Sequence, residues 1–450
     1  MIYVRDIIDI CNGELVCGNL DLECISFCKD TREIAHGDVY VGIKGDTFNG
    51  NNFYRDAFDK GASICILDMD TKISGKNKYK DKTIILVDDT ISCLQKLAKY
   101  KRSLYNIPVV AITGSVGKTS VKDIIYSVVS SKYKTLCTKG NMNNHIGVPL
   151  TILGLKDHEA LILEMGMNHM GELHVLSNIA NPTVSVITNI GTAHIGNLGS
   201  RENILKAKLE ILDGINQDML VINNDDDMLR TVKYDSLITI GIDNDSDYMA
   251  REIEDNIFSS NFYINDEYIS IPVGSRAFVY NALFAYAVGI KLGISSDEIK
   301  DALKKFKLTP HRLEMIDTGK IRIIDDTYNA SLDSVRNAVS LLSRVDNRKV
   351  FIFGDILELD EYGMDIHREI GSYVLDNSID VFICVGELSK YSYEIANNSD
   401  KDTKCYYFKD NSELLDDVWK ILNDGDIVLI KGSHGMKLVD VVDFLKKDHK

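Results

Sequence analysis

An apolar, β-branched run, "IPVVAIT" (107–113), ends in a glycine loop, "GSVGK" (114–118), and the loop opens onto a helical pattern, "TSVKDIIYSVVSSKY" (119–133). A buried strand that passes through a tight loop into a helix is one unit of a parallel sheet covered by helices. The unit recurs. "ALILEMG", "VSVITNIG" and "DMLVINND" read as strands of the same kind, and "FVYNALFAYAVGIKLG" and "SSDEIKDALKKF" as helices that close this section. "KLTPHRLEMI" reads as a linker turning into a new strand. Beyond it the alternation restarts with "IRIIDDTYNA", "KVFIFGDI", "DVFICVG" and "DIVLIKGSHG". Each of these strands ends in glycine, aspartate or both, which places functional loops at the carboxyl ends of a Rossmann-like doubly wound sheet.

Towards the amino end, "GDVYVGIKG" and "GASICIL" have a strand rhythm, with "NNFYRDAFDKGA" as a helix between them. The amphipathic "ISCLQKLAKYKRSLYN" then leads to Pro108. The expected class is α/β with three domains, 1–106, 107–310 and 311–450; 450 residues suffice for them. The net charge of −16 argues against a nucleic-acid partner, so an anionic substrate needs local cations and backbone amides. No apolar run reaches the length of a membrane span, and "MIYVRDIIDICNG" carries Arg5 and Asp6 where a signal peptide needs apolar residues. The nine cysteines form no C-x-x-C pair and are expected to be free thiols in a reducing cytoplasm.

The loop "TGSVGKTS" lacks the first glycine of the general phosphate-loop signature: Ile112 stands there, and Gly114 comes two residues later. Its working parts remain. Backbone amides at a helix start form an anion cradle, Gly114 and Gly117 permit the turns, Lys118 neutralises phosphate, and Thr119 offers a hydroxyl to Mg²⁺. Ser115, Val116 and Ser120 complete the candidate nucleotide-phosphate segment. Glu164, closing "ALILE", is a candidate oxygen ligand for the same ion. Met165, Met167 and Met170 read as packing residues, because thioethers do not suit Mg²⁺. "ITNIGTAHIGNLGSRENILKAKLEIL" adds His194 after a strand, and Lys206 and Lys208 on a helix. Taken singly, such residues are usually structural or solvated.

Together, "TGSVGKT", "NMNNHIGVPLTIL", "EMGMNHMGEL", "TNIGTAHI", "AKLEI", "YNAL" and "PHR" resemble the Mur ligase superfamily, the ATP-dependent amide-forming ligases of cell-wall precursor synthesis. "DDTYNASLDSV", "GDILELDEYGMDIHREIG" and "KGSHGM" are similar to the branch that joins D-alanyl-D-alanine to UDP-N-acetylmuramoyl-tripeptide. The resemblance spans all three sections. It implies a first domain for the UDP-sugar, a central ATPase, and a third domain that closes over ATP through an acyl-phosphate reaction.

The resemblance also implies residue roles. Lys118 would meet phosphate. Thr119 and Glu164 would hold one Mg²⁺ and His194 a second, and Lys208 would be carbamylated into an anionic oxygen ligand near magnesium and phosphate. Asn281 would lie beside adenine, and Arg312 and Asp326 would reach the ATP phosphates and ribose. Thr31, Arg32, Lys44 and Gly45 are implied contacts of the uridine nucleotide, with Asn143, Asn144, Asn329 and Ser331 as further substrate contacts. The implied setting is cytoplasmic and monomeric, without membrane insertion. His145, Ala277, Phe278 and His434 depart from the branch pattern; His434 replaces a common arginine and makes a charged substrate contact doubtful or pH-dependent. Two other readings compete. One is a sister ligase adding a glutamate or a diamino acid, although the D-N-P-R signature of the diamino-acid branch is missing. The other is a nucleotide-binding module without ligase chemistry.

Overall fold

The computed structural model describes residues 1–447 except 46, 75–78, 80, 194, 215–218, 257 and 358. Its strands form three sheets. The first holds β1 (Glu14–Cys17), β2 (Phe27–Cys28), β3 (Val39–Val41), β4 (Ile64–Asp68) and β5 (Thr83–Val87), in the order β1-β5-β4-β3-β2. Strands β2 to β5 run parallel, and β1 pairs antiparallel to β5.

The second sheet holds β6 (Val109–Thr113), β7 (Thr135–Cys137), β8 (Ala160–Glu164), β9 (Val184–Ile187), β10 (Met219–Asn223), β11 (Leu237–Gly241), β12 (Tyr248–Asp255), β13 (Ser260–Ile264) and β14 (Glu267–Ile271). Its order is β14-β13-β12-β11-β10-β9-β6-β8-β7. Strands β6, β8 and β9 are buried along their whole length, as near-continuous aliphatic runs are when helices cover both faces of a parallel sheet. The chain leaves β6 for one edge and returns through β8 to continue at β9 on the other side. The carboxyl end of β6 is therefore the switch point where a doubly wound sheet opens a crevice. The hairpin β12–β13–β14 is antiparallel and extends the sheet beyond the strands read from the sequence.

The third sheet holds β15 (Glu314–Asp317), β16 (Arg322–Asp326), β17 (Lys349–Gly354), β18 (Val381–Val385), β19 (Lys404–Phe408) and β20 (Ile427–Lys431), ordered β15-β16-β20-β17-β18-β19. Only β15 is antiparallel to its neighbour.

The cores show how the sections are joined. One apolar cluster runs without a break from Ile2 and Val4 through Leu97 to Leu161 and Ile222, so the first and second sections share a core. Arg102 rivets the same seam. It is buried at the end of the helix Thr90–Ser103 and donates to the carbonyls of Ala180 (2.8 Å) and Asn181 (3.3 Å), which close the helix Glu172–Ala180. Those terminal carbonyls have no partner within their own helix, and a guanidinium fork supplies one. The third section packs two clusters of its own, one on each face of its sheet. Beyond the linker, Asp255 and Phe258, near the tip of the β12–β13 hairpin, meet Arg344 and Arg322 of the third section. All nine cysteines are free, and among the described residues no helix is long and apolar enough to cross a membrane.

Candidate active site

The loop after β6 is braced before any ligand is considered. Asn189, two residues beyond β9, accepts the Ser115 N–H on its carbonyl (3.1 Å) and the Val116 N–H on Oδ1 (3.0 Å). Its amide and the Thr188 hydroxyl both donate to the Val116 carbonyl, at 3.0 and 2.7 Å. The Ser115 hydroxyl accepts from the Gly191 N–H (3.0 Å). This refines the expected cradle. The amides of Ser115 and Val116 are committed to Asn189, so the amides facing outward belong to the first turn of the helix Lys118–Val129, where Lys118, Thr119 and Ser120 have no carbonyl one turn back. Gly114 has φ +152°, and a Cβ there would sit 1.8 Å from the Thr188 hydroxyl. Gly117 caps the helix at φ +82°, and a Cβ on it would meet nothing within 4 Å. Glycine thus serves close packing at one end of the loop and an open, left-handed turn at the other. Lys118 folds over this loop, donating to the Gly114 carbonyl at 2.8 Å. Burial pushes its ammonium below the ordinary lysine range; Glu164 opposes that shift and Arg312 adds to it.

Glu164 ends β8 beside the loop and is 2% exposed. Asn143 donates to its Oε1 at 2.7 Å, while Oε2 is buried without a partner. An acceptor-only oxygen, deprived of water and of a protein donor, is the atom a hard divalent cation requires. The residues present therefore fit Mg²⁺. Asn144, read as a substrate contact, accepts the Ile146 and Gly147 N–H groups on its side-chain oxygen, at 3.1 and 2.9 Å, ahead of the helix Gly147–Leu153. Met165 and Met167 are buried packing residues as expected, but Met170 is 51% exposed and does not pack.

Lys208 lies on the helix Arg201–Leu209 and is 1% exposed. Among the described residues no carboxylate pairs with it. Burial holds its ammonium well below the ordinary lysine range, and the nearby Lys118 charge pushes it further down. A lysine so placed gives up its proton more readily than an exposed one, and the free amine is the nucleophilic form. Lys206 on the same helix is exposed. His194 lies outside the described residues.

The third sheet brings its own groups to the crevice. The Arg312 guanidinium stacks 3.9 Å over the Tyr328 ring, and its Nε is buried without a partner. Asp326, at the end of β16, pairs at 2.6 Å with Lys431, its register partner on β20. Burial raises the Asp326 pKa above the usual carboxylate range, against the opposing pull of Lys431 and Arg312. Lys431 also donates to the Asn329 carbonyl (3.0 Å), fixing that loop. Ser331 spends its hydroxyl as the N-cap of the helix Leu332–Leu342. His434 is exposed, its ring 6.1 Å from that of Tyr328.

Asn281 is buried on the helix Arg276–Lys291, one residue after Tyr280. The Tyr280 hydroxyl donates to Asp225 at 2.7 Å, tying this helix to the loop after β10. Ala277 and Phe278 lie in the first turn, and Phe278 is core. In the first sheet, Thr31, Arg32, Lys44 and Gly45 all follow the carboxyl ends of β2 and β3. Arg32 is exposed and pairs with Asp30 at 2.5 Å, and the Lys44 backbone forms an isolated antiparallel β-bridge with Asn49. His145 is exposed, and its carbonyl accepts from Gln95 (3.1 Å). Sequence reasoning missed Asn189, Tyr328 and Lys431. The first two stand inside the quoted strings "TNIGTAHI" and "DDTYNASLDSV", and Lys431 opens "KGSHGM".

Comparison with known proteins matches residues 112–289 to the Mur ligase middle domain and residues 311–434 to the Mur ligase, glutamate ligase domain. The chain is 34% identical over 447 residues to UDP-N-acetylmuramoyl-tripeptide–D-alanyl-D-alanine ligase of Bacillus subtilis (strain 168), covering 98% of this chain and 97% of that one. A crystal structure of MurF from Acinetobacter baumannii superposes with a TM-score of 0.89 at 29% identity, covering 99% of both chains. MurF ligase from Thermotoga maritima, solved in complex with ADP, gives 0.82 at 28% identity, covering 94% of this chain and 97% of that one.

Proposed function

We propose that this chain, which belongs to the Mur ligase family, is the ATP-dependent ligase that joins D-alanyl-D-alanine to UDP-N-acetylmuramoyl-tripeptide in peptidoglycan precursor synthesis. One observation supports the reading above the rest. Glu164 of the central section and Arg312 of the third both stand close enough to act on the charge of Lys118, and Lys118 on that of Lys208, around a single braced loop.

The reaction needs cations and position more than it needs a nucleophile from the protein. The tripeptide carboxylate takes the γ-phosphoryl group of ATP, releasing ADP and leaving an acyl phosphate. The amine of D-alanyl-D-alanine attacks its carbonyl carbon; the new C–N bond forms, phosphate departs, and the amine loses a proton. Lys118 and the first-turn amides of its helix hold phosphate oxygens, and Arg312 approaches them from the third sheet. Thr119 and Glu164 would hold one Mg²⁺, and His194 with a carbamylated Lys208 a second. Bound there, these ions neutralise the charge that gathers on the phosphoryl oxygens. Asn143 orients Glu164 for that task. Asp326, held by Lys431, faces the ribose, and Asn281 faces adenine. Thr31, Arg32, Lys44 and Gly45 line the uridine-nucleotide end.

The domains divide as 1–106, 107–310 and 311–450. The shared core of the first two and the separate cores of the third support a rigid pair on which the last domain closes, excluding water from the acyl phosphate. The enzyme works as a monomer in the cytoplasm. Incubation with ATP, UDP-N-acetylmuramoyl-tripeptide and D-alanyl-D-alanine, read by mass spectrometry, tests the assignment: the UDP-linked pentapeptide is expected, and unchanged tripeptide with active ATP hydrolysis contradicts it.

A further inference from the structure

We propose that His311 is a positioning residue for this reaction: it locks the turn that carries Arg312 onto the loop after β16 and so aims the guanidinium at the phosphates. The proposal rests on the reading of Arg312 as a phosphate-binding group. His311 and Leu313, on either side of Arg312, both occupy the left-handed backbone region, with φ +66° and +53°. Non-glycine side chains avoid that region unless surrounding contacts hold them there. Three bonds hold His311. Its N–H donates to Glu314 Oε2 (3.1 Å), its carbonyl accepts the Tyr328 N–H (3.1 Å), and its Nδ1 lies 2.7 Å from Asp325 Oδ2.

Asp325 is wholly buried, and its Oδ1 already accepts from the Thr327 N–H (3.1 Å) and hydroxyl (2.7 Å). The ionised carboxylate can only accept, which assigns the proton between it and His311 to Nδ1. His311, Glu314 and Asp325 offer ligand atoms within 4.8 Å of one another, a spacing a metal ion could use. Both Asp325 oxygens are committed to protein donors, however, so the cluster is read as a hydrogen-bonded clamp. The pairing of β15 with β16 begins at the same point, Glu314 opposite Asp325. The clamp fixes the backbone on each side of Arg312 and leaves its guanidinium over Tyr328, the next residue but two after Asp325 in the chain.

A double-mutant cycle in the full-length enzyme tests this, with His311→Ala, Arg312→Ala and the pair compared by kcat and KM for ATP. Misplacing a phosphate-stabilising group is expected to cost about 100-fold in kcat/KM. His311→Ala should show that loss in the presence of Arg312 and little further loss in its absence, because it acts through Arg312. His311→Asn, which tolerates a left-handed backbone and keeps an N–H for Asp325, should recover activity to within about 10-fold of wild type. His311→Gly relieves the backbone without restoring the bond, so it should remain impaired; it also replaces the alanine variant if that fails to fold. Wild-type kinetics for His311→Gly, or losses from His311 and Arg312 that simply multiply, would overturn the proposal. An Arg312→Ala enzyme with unchanged kinetics would instead defeat the role given to Arg312.

Discussion

Asn143 donates a 2.7 Å hydrogen bond to one oxygen of Glu164 and leaves the other oxygen buried with no protein partner. The two residues stand 21 apart in the chain, and the bond sets the direction in which the free oxygen points. Asn143→Ala should therefore raise the Mg²⁺ concentration needed for half-maximal activity by about 10- to 100-fold, as removal of a residue that orients a metal ligand does. Glu164→Gln should raise it further, and both proteins should melt near the wild-type temperature. A Mg²⁺ titration checks this; an unchanged midpoint in Glu164→Gln would remove Glu164 from the metal site.

Lys208 is a buried amine without an opposing carboxylate among the described residues, and carbamylation would turn it into an anionic oxygen ligand. Activity should fall in buffer stripped of carbon dioxide and return with bicarbonate. Lys208→Ala should lose on the order of 100-fold in kcat and be partly rescued by a short carboxylic acid. Stability offers a second check. The folded-state pKa lies below the unfolded value of 10.5, so the unfolded chain binds the proton more tightly and the cost of burying Lys208 shrinks as pH rises towards 10.5. Without carbon dioxide, Lys208→Met should melt higher than wild type by about a degree or more, roughly what 1 kcal/mol gives a chain of this length. That gap should narrow in alkaline buffer; a gap independent of pH contradicts the assignment.

Asp225 ties the helix that carries Asn281 to the loop after β10. Burial alone would raise its pKa, but the Ile242 N–H, the Tyr280 hydroxyl and Asn244 hold it down to about 2, against an ordinary 3.8. The stabilisation is complete above pH 3.8 and is lost as pH falls through about 2. Asp225→Asn should therefore be less stable than wild type near neutrality, by roughly 1 kcal/mol at this partly exposed site, and the two should converge in strong acid. Urea unfolding across the acid range measures the difference; parallel curves would show that Asp225 carries no such load.

Much of the architecture was legible because parallel strands buried on both faces, such as β6, β8 and β18, carry their own signal: continuous apolar runs closed by glycine or a carboxylate. The hairpin β12–β14 escaped notice because it is only half buried. Tyr263 and Tyr268 alternate outward beside inward Phe262 and Ile269, and Asn265, at φ +52°, makes the turn. The short alternation "NFYINDEYISI" and its "ND" pair were the available clue. Within the site, the tight loop and Glu164 could be picked out from their strand-end settings, whereas Lys208, one of two lysines on its helix, was singled out only by the family resemblance. The partners that fix these groups could not be picked out. Asn189 under the loop, Asn143 on Glu164 and Lys431 on Asp326 meet through strand order, which brings β9 beside β6 and β20 beside β16. Asn144 and Ser331 show a further limit: each also serves a helix start through its side-chain oxygen, which their place inside the matched strings does not reveal.

Phosphate release from ATP, followed continuously in the presence of Mg²⁺, tests the central claim most directly. Sustained release is expected only when UDP-N-acetylmuramoyl-tripeptide and D-alanyl-D-alanine are both present, with at most a single-turnover burst when the dipeptide is omitted. Brisk, sustained release with neither substrate would contradict the ligase assignment.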